Sequence, residues 1–260
     1  LHASQGEFLR IVMAPGTVEQ CFACGWRAFN LAERFQTPVI VVIDQFVAHF
    51  IRSVDKGALD FGAVRIDRGA LLTAGELDGL TEPYVRYAIT PSGVSPRAVP
   101  GHPKAVYSAT SDEHSPDSHM EEAAANRATM QRKRLAKSAG ALAEMSGPTL
   151  YGPADAPLAL VCWGSTYGPV HEAVDELNAA GTPTRMVHFS DVWPFPAVAA
   201  EQALAGARRI LAVEGNLTGQ FAWLLRAETG IKVHGLVSRY DGRPFTVEDI
   251  LAGVRSPAGS

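Results

Sequence analysis

The sequence has few cysteines, no long apolar run and little excess charge. Its 260 residues contain three cysteines, an odd number that gives no disulfide framework and is typical of a reducing compartment. The longest apolar runs, at 38–43 and 158–163, are far shorter than the roughly 20 residues needed to cross a bilayer. Because the formal net charge is only −4, neither nucleic acid nor a membrane surface is indicated as a partner.

The beginning of the chain shows no targeting signal. The first seven residues lack the basic region and apolar stretch of a signal peptide, which favours a cytoplasmic protein. The chain begins without methionine, and a strand-helix-strand pattern starts almost at once. We therefore expect the sheet to be completed by an upstream half of the polypeptide or by a partner chain.

The first fifty residues predict a strand, a helix and a second strand. A short apolar run at 10–14 precedes Thr17 and Gln20, which have the spacing of a capping box. The helix should end near Gln36, since Pro38 disfavours helical geometry at the residue before it. The β-branched run at 39–43 is typical of a parallel strand that is buried on both faces.

The middle of the chain is less regular. Residues 44–82 have weak periodicity and predict a connection with one strand. Residues 83–119 contain six prolines, which exclude a long helix or a central strand and indicate a long structured loop. Residues 120–145 are rich in alanine, arginine and glutamate without proline, and this composition predicts a surface helix.

The last third alternates between strands and helices. Strands are predicted at 158–163, 185–189, 209–214 and 233–238, each followed by a helix, the last of which is capped by Thr246 and Asp249. This alternation predicts a doubly wound, mostly parallel sheet whose crevice lies beyond the carboxyl ends of its strands. Gly164, Glu214 and Tyr240 fall at those ends.

Several local motifs permit two interpretations. Cys21 and Cys24 form a CxxC pair without the second pair that a metal site needs, so packing inside the helix is favoured over redox chemistry. Asp112 and His114 combine carboxylate and imidazole, which suit either a polar site or local hydrogen bonds. The loop 164–168 opens a helix, where it could hold an anion or simply pack tightly.

Two arginines are candidates for binding an anion. Arg10 lies at the start of the first predicted strand, and Arg97 lies in a rigid run of glycine and proline. A guanidinium group can donate a pair of hydrogen bonds to a carboxylate or a phosphate, although surface arginines usually do neither.

A family resemblance accounts for most of these motifs. The run 6–16, the segment 28–40 and the pair Asp44 and Gln45 resemble the second half of the pyrimidine-binding domain in the α subunit of 2-oxoacid:ferredoxin oxidoreductases. Residues 213–220 and 239–245 resemble its transketolase-C-like domain. Residues in the middle of the chain resemble the inter-domain signature of the family. They are Tyr84, Arg86, Tyr87, Thr90, Gly93, Ser95, Arg97, Asp112, His114, His119, Asn126 and Arg127.

The resemblance implies an α/β fold in three parts. Residues 1–55 would form the C-terminal half of a thiamine-diphosphate pyrimidine-binding domain, and 56–150 an inter-domain connection. Residues 151–260 would form the doubly wound, transketolase C-terminal-like parallel-sheet domain. The family's glutamate that acts on the aminopyrimidine would lie before residue 1, so no catalytic residue is expected on this chain.

The implied activity is the oxidative decarboxylation of 2-oxoglutarate, or a related 2-oxoacid, with coenzyme A. Its products are succinyl-CoA or another acyl-CoA, carbon dioxide and reduced ferredoxin. Thiamine diphosphate would be shared in an α/β hetero-oligomer with a β subunit, which would carry Mg²⁺ and a [4Fe–4S] cluster, and this chain would carry no metal.

The resemblance also assigns residue roles. Arg10 would bind the 2-oxoacid carboxylate, although Leu9 stands where the family usually has proline. A cofactor and interface loop would include Tyr84, Arg86, Gly93, Ser95, Arg97, Asp112 and His114. The alternatives are a non-catalytic scaffold, a pyruvate or branched-chain 2-oxoacid oxidoreductase, and another transketolase-like enzyme.

Overall fold

A computed structural model describes residues 1, 4 and 6–256. The chain divides into two units. The loop unit consists of the described residues up to Ile11, together with Trp26–Val39 and Arg65–Glu144. The sheet unit consists of Val12–Gly25, Ile40–Val64 and the described residues from Met145 onward.

The structure contains α-helices, strands and short 3₁₀ helices. The strands are β1 (Ile11–Met13), β2 (Val39–Val41), β3 (Thr149–Tyr151), β4 (Leu158–Trp163), β5 (Thr184–Phe189), β6 (Asp191–Trp193), β7 (Arg209–Glu214) and β8 (Gly235–Ser238). The helices are α1 (Val18–Phe35), α2 (Gln45–His49), α3 (Ala74–Asp78), α4 (Ala124–Ala143), α5 (Tyr167–Ala179), α6 (Ala197–Leu204), α7 (Gln220–Thr229) and α8 (Val247–Arg255). In the described ranges, every helix is too short or too polar to span a membrane.

The sheet unit contains a five-stranded sheet in the order β3-β5-β4-β7-β8. The strands β5, β4, β7 and β8 run parallel, whereas β3 pairs antiparallel with β5 at the edge. Since β5 lies on one side of β4 and β7 on the other, the chain reverses its direction of winding at β4. This confirms the predicted doubly wound α/β fold and places its crevice beyond the ends of β4 and β7.

Apolar side chains on both faces of β4 explain its central position. Residues 158–162 are all buried, and Leu160 is completely inaccessible. Leu160 belongs to a buried cluster with Val174 of α5, Met186 of β5 and Leu211 of β7. The continuous apolar run in the sequence is therefore the signature of a strand covered on both faces.

A smaller sheet has the order β2-β1-β6. Met13 of β1 lies opposite Asp191 of β6, and the Met13 carbonyl accepts a 2.8 Å hydrogen bond from the Val42 amide. The prediction that 39–43 is buried on both faces was wrong, because Ile40 to Ile43 are 39–47% exposed. Within the described chain β2 has one neighbouring strand, so its other edge pairs with no strand there.

The segment 44–82 crosses the boundary between the units, with α2 and two 3₁₀ helices in the sheet unit and α3 in the loop unit. The segment is fully described and contains no strand, so the prediction of one strand there was wrong. Its nearest equivalent is an isolated bridge between Leu71 and Arg97. Residues 83–119 form a long loop with one 3₁₀ helix, and α4 lies inside the helix predicted at 120–145.

Candidate functional site

Arg10 is a buried arginine at the start of β1. Its guanidinium donates hydrogen bonds to the Leu1 carbonyl and the Ser4 hydroxyl, and its Cζ lies 4.2 Å from the centre of the Phe8 ring. These contacts are with neutral groups. The Arg10 guanidinium therefore has no carboxylate among the partners just named.

Arg97 is held inside the loop unit by several contacts. Its guanidinium forms an ion pair with Glu33 and donates to the Arg68 carbonyl at 3.1 Å, and its backbone pairs with Ala70 and Leu72. Its side chain is only 16% exposed. In this chain Arg97 therefore ties its own loop to α1.

The signature residues near Arg97 also act on their own loop. The Tyr84 hydroxyl accepts a 3.1 Å hydrogen bond from the Ala98 amide, and burial raises the pKa of this phenol. Ser95 is completely buried and donates to the Ala88 carbonyl at 2.9 Å. These contacts fix the path of the proline-rich loop.

Gly93 lies where the loop approaches the backbone of α4. Its φ is +74°, and a Cβ atom at this position would lie 2.2 Å from the Lys133 carbonyl oxygen. Both the left-handed backbone and this close approach require glycine. The loop can therefore reach α4 only with glycine at this position.

Glu113 connects the loop to α4 through two arginines. Its carboxylate accepts hydrogen bonds from Arg134 at 2.5 and 2.8 Å and from Arg127 at 2.7 Å. The hydrogen bond from Arg134 is the main reason why the pKa of Glu113 is lowered from 4.5 to about 2. Glu113 was not among the predicted site residues, although it separates Asp112 from His114.

Asp112 and His114 lie in different surroundings. Asp112 is exposed, whereas His114 stacks on Tyr87 with 3.7 Å between ring centres. Burial lowers the pKa of His114, and its Nδ1 atom has no hydrogen-bond partner among the described residues. His119 lies apart from this stack and pairs with Asp117 on the exposed part of the loop.

Four cations line one cavity of the loop unit, which we call the cationic pocket. Its volume is about 260 Å³. The described side chains around it contribute four positive charges and no carboxylate. They are Phe8, Leu9, Gln36, Thr37, Pro38, Arg86, Tyr87, His114, Met130, Lys133, Arg134 and Lys137.

Only part of this pocket is visible in the sequence. Arg86 and His114 belong to the family signature, and the structure brings them together. Arg10, Tyr84, Ser95, Arg97 and Asp112 do not line it. The cations of α4 were missed. A visible signal was the spacing of Lys133 and Lys137, which places two lysines on one helix face.

Gln36 organises two of the four cations. It follows the last residue of α1 with a left-handed φ of 49°. Its side-chain oxygen accepts from Arg86 at 3.1 Å, and its backbone carbonyl accepts from the Lys137 ammonium at 3.0 Å. Arg134 is bound to Glu113, so three of the four cations have a polar partner that fixes them.

Lys133 differs from the other three cations. Within the described part of the chain its ammonium group has no hydrogen bond or ion pair. Burial, together with the nearby Arg86 and Arg134, lowers its pKa from 10.5 to about 8. The pKa of Lys137 is also lowered to about 8, mainly by burial and secondly by Lys133.

The crevice of the sheet unit is organised by buried polar groups. Glu214, at the end of β7, is fully buried and accepts 2.8 Å hydrogen bonds from the Phe221 and Ala222 amides at the start of α7. These donors are free helix N-terminal N–H groups, so the carboxylate caps α7. Glu214 therefore has a structural partner of its own.

The loop after β4 is also bound internally. The Gly164 carbonyl lies 3.0 Å from Nε2 of the fully buried His188. A Cβ atom on Gly16 would lie 2.1 Å from the same carbonyl oxygen. These contacts are those of a closely packed loop. Whether residues 164–168 bind an anion stays a prediction.

The cysteine pair lies within α1. Cys24 is buried with its sulfur 3.8 Å from that of Met13, while Cys21 is half-buried and its pKa is raised by burial. In the described chain, no three His, Cys, Asp or Glu side chains lie together as a candidate metal site.

Two family profiles match the chain. The profile described as pyruvate flavodoxin/ferredoxin oxidoreductase, thiamine diphosphate-binding, matches residues 3–134. The profile of pyruvate:ferredoxin oxidoreductase core domain II matches residues 156–250. The fold and these matches define an α/β protein of the thiamine-dependent oxidoreductase class. The chain belongs to the 2-oxoacid:ferredoxin oxidoreductase family, on the α-subunit side, as the resemblance predicted.

Curated relatives match almost the whole chain. The 2-oxoacid:ferredoxin oxidoreductase α subunit of Saccharolobus solfataricus is 32% identical over 98% of this chain and 40% of the relative. The 2-oxoglutarate oxidoreductase subunit KorA of Mycobacterium tuberculosis is 29% identical over 98% of this chain and 38% of the relative. The chain thus spans about two fifths of the length of these relatives.

A solved structure has a similar fold. The 2-oxoglutarate:ferredoxin oxidoreductase of Magnetococcus marinus, with 2-oxoglutarate, coenzyme A and succinyl-CoA bound, matches with a TM-score of 0.83 and 31% identity. The match covers 98% of this chain and 43% of that one.

Proposed function

We propose that the chain acts within a thiamine-diphosphate-dependent 2-oxoacid:ferredoxin oxidoreductase that uses 2-oxoglutarate or a related 2-oxoacid. The carboxylate next to the oxo group leaves as carbon dioxide, and the remaining acyl group is joined to the sulfur of coenzyme A. The electron pair that this oxidation releases passes to ferredoxin. The observation that carries the proposal is the match, over 98% of the chain, to a relative that holds 2-oxoglutarate and coenzyme A.

The described residues fit one part of the cofactor. Thiamine diphosphate needs metal-ligating oxygens at its diphosphate and apolar surface at its rings. In the sheet unit, Phe46 stacks on Phe50 with 5.5 Å between ring centres, and both line a cavity of about 440 Å³ with Thr17 and Tyr167. This aromatic surface suits the pyrimidine ring.

The other cofactor groups are assigned to a β subunit. The family resemblance assigns the diphosphate, Mg²⁺ and the [4Fe–4S] cluster to that partner in an α/β hetero-oligomer. When bound, thiamine diphosphate supplies the carbon nucleophile that attacks the 2-oxo group and accepts its electrons.

Arg10 is the residue of this chain proposed to bind the substrate. It is buried, and its present acceptors are a carbonyl and a hydroxyl rather than a carboxylate. A guanidinium in such surroundings binds a planar carboxylate with two parallel hydrogen bonds. Arg10 would neutralise and orient the carboxylate of the 2-oxoacid, while the loop of Tyr84 to Arg97 would shape the cofactor side and its interface.

The test uses the complex reconstituted from the full-length α subunit and its β subunit. For Arg10→Ala we expect the KM for 2-oxoglutarate to rise about tenfold or more, because one charge-assisted pair of hydrogen bonds is lost. Arg10→Lys should recover part of the loss. Arg208→Ala removes an exposed arginine and should leave the KM unchanged.

Different results would reject different parts of the proposal. An unchanged KM in the folded Arg10→Ala complex would remove Arg10 from the site. Turnover by a complex that holds no thiamine diphosphate would reject the proposed cofactor, whereas a complex with no activity on any 2-oxoacid would reject the enzyme and favour a scaffold. A higher kcat/KM for pyruvate or a branched-chain 2-oxoacid than for 2-oxoglutarate would reject the proposed substrate.

A further inference from the structure

The cationic pocket concentrates positive charge that the described part of the loop unit neutralises only in part, through the ion pair of Arg134 with Glu113. Arg86, Lys133, Arg134 and Lys137 line it, and no lining residue carries a carboxylate. The carboxylate of Glu113 is shared between Arg134 and Arg127, and Arg127 does not line the pocket. Like charges at close range and away from water are costly to hold together without a counter-ion.

Contacts with neighbouring residues hold two of the pocket's cations in place. Gln36 fixes Arg86 and Lys137 from one residue, through its side-chain oxygen and its backbone carbonyl. The Arg86 guanidinium also lies 4.9 Å from the centre of the Tyr87 ring. Because these contacts already fix the donors beside the cavity before a ligand binds, binding there costs less conformational entropy.

We propose that the cationic pocket binds a compact dianion, and that a phosphoryl group is the chemical class its donors fit. Lysine ammonium groups act as point donors, which suit the several directions of a tetrahedral phosphate. The planar fork of Arg134, which would suit a carboxylate, is already occupied by Glu113.

The size of the pocket limits what can enter. At about 260 Å³ it is smaller than the 300 Å³ or so at which pockets for drug-sized ligands begin. The pocket therefore accepts the anionic group itself. A larger molecule would leave its organic part outside.

The chemical reactivity of the Lys133 amine tests the proposal directly. Each lysine of the chain is labelled with an amine-reactive acylating reagent at pH 8 and quantified by peptide mass spectrometry, with and without inorganic phosphate. A bound dianion favours the charged ammonium, so the pKa of Lys133 rises from about 8. A rise of about one pKa unit would slow its labelling about fivefold, while exposed Lys56 and Lys232 keep their rates.

Parallel samples distinguish the source and class of the anion. Chloride at equal ionic strength controls for screening, and succinate tests a carboxylate dianion. Adenosine 5′-monophosphate, compared with adenosine, tests a phosphate ester. Protection by inorganic phosphate alone assigns free phosphate, and stronger protection by the monophosphate assigns an ester; both support the proposal.

A second measurement uses variants. Calorimetric titration of the chain with inorganic phosphate should show affinity that falls about tenfold or more in Lys133→Met, since one charged donor is lost. Lys56→Met should bind like the parent chain. Lys133 has no partner to lose among the described residues, so this variant is expected to fold, which circular dichroism checks.

Three results of the measurements above would overturn the proposal. These are equal protection by chloride, stronger protection by succinate than by phosphate, and unchanged phosphate affinity in folded Lys133→Met. Protection of Lys133 by an acidic peptide but not by phosphate would also overturn it, because the pocket would then serve a protein partner. Both measurements work without turnover, so their failure is separate from failure of the proposed enzyme function.

Discussion

The two units of the molecule are stabilised by different interactions. In the sheet unit, fourteen buried apolar residues form one cluster around β4 and β7. In the loop unit, a corresponding cluster has three buried members, Leu77, Ala98 and Ala105. The loop unit relies instead on charged and polar contacts, such as those of Glu113, Gln36 and Arg97.

The two kinds of interaction have different consequences for stability and for ligand binding. Apolar burial is non-directional and scales with area, so it stabilises the sheet unit without orienting hydrogen-bond donors. Polar contacts fix directions, and those of the loop unit leave donors facing a cavity. The candidate anion site therefore lies in the unit that has the smaller apolar core.

The largest effect is expected when one buried leucine of each unit is replaced by alanine and the two losses of stability are compared. Leu160→Ala should lower the free energy of unfolding by about 4 kcal/mol, because its dense surroundings cannot close the cavity. Leu77→Ala should cost about 2 kcal/mol, since a small cluster beside loops relaxes more easily. Urea unfolding followed by circular dichroism measures both, and equal losses would contradict the comparison.

The next effect is a pH dependence in the sheet unit. Burial lowers the pKa of His188 from 6.5 to about 4, so the unfolded chain binds this proton first as the pH falls. The associated stability is present above pH 6.5 and is lost towards pH 4, by about 3 kcal/mol in total.

Denaturant unfolding across this pH range tests the assignment. His188→Gln keeps a donor for the Gly164 carbonyl but does not titrate, so the stability should fall less steeply with acid. His49→Gln, an exposed histidine of the same unit, is the matched control. A slope that is the same in His188→Gln and the parent chain would show that another group titrates.

The smallest effect belongs to the loop unit and a more acidic range. The pKa of Glu113 is lowered from 4.5 to about 2, so its contribution is present above pH 4.5 and is lost as the pH falls through 2. Glu113→Gln should cost about 2 kcal/mol at neutral pH, since charge-assisted hydrogen bonds are lost.

The control for Glu113 is its exposed neighbour. Asp112→Asn should leave the stability nearly unchanged. When the pH is lowered from 4.5 to 2, the parent chain should lose more stability than the Glu113→Gln variant does. If both lose the same amount, the ion pairs of Glu113 with Arg134 and Arg127 do not stabilise the folded chain.

The secondary structure of the sheet unit could be predicted because its signals are local. The apolar run at 158–163 and the spacing of Thr246 and Asp249 each lie within one element, and the structure has the strand and the capping box there. The strands β3 and β6 were missed. Each has three residues, which is too short for a periodic pattern.

The candidate site could be predicted only in part. Arg86 and His114 were found through motifs, but their neighbours on α4 looked like a solvated helix face. Gln36 bonds to Arg86 across 50 positions of the sequence and to Lys137 across 101. A pattern within a short stretch of sequence cannot predict contacts between residues so far apart in the chain.

From the sequence alone, the family, the α/β class and the alternation of strands and helices could be read, because each follows from residues close together in the chain. The tertiary structure decided which charges meet. It placed Arg97 against Glu33, Glu113 between two arginines, and Lys133 among three other cations without a partner of its own in the described chain. Electrostatic interactions depend on distance in space and on burial, and both arise only when distant segments pack together.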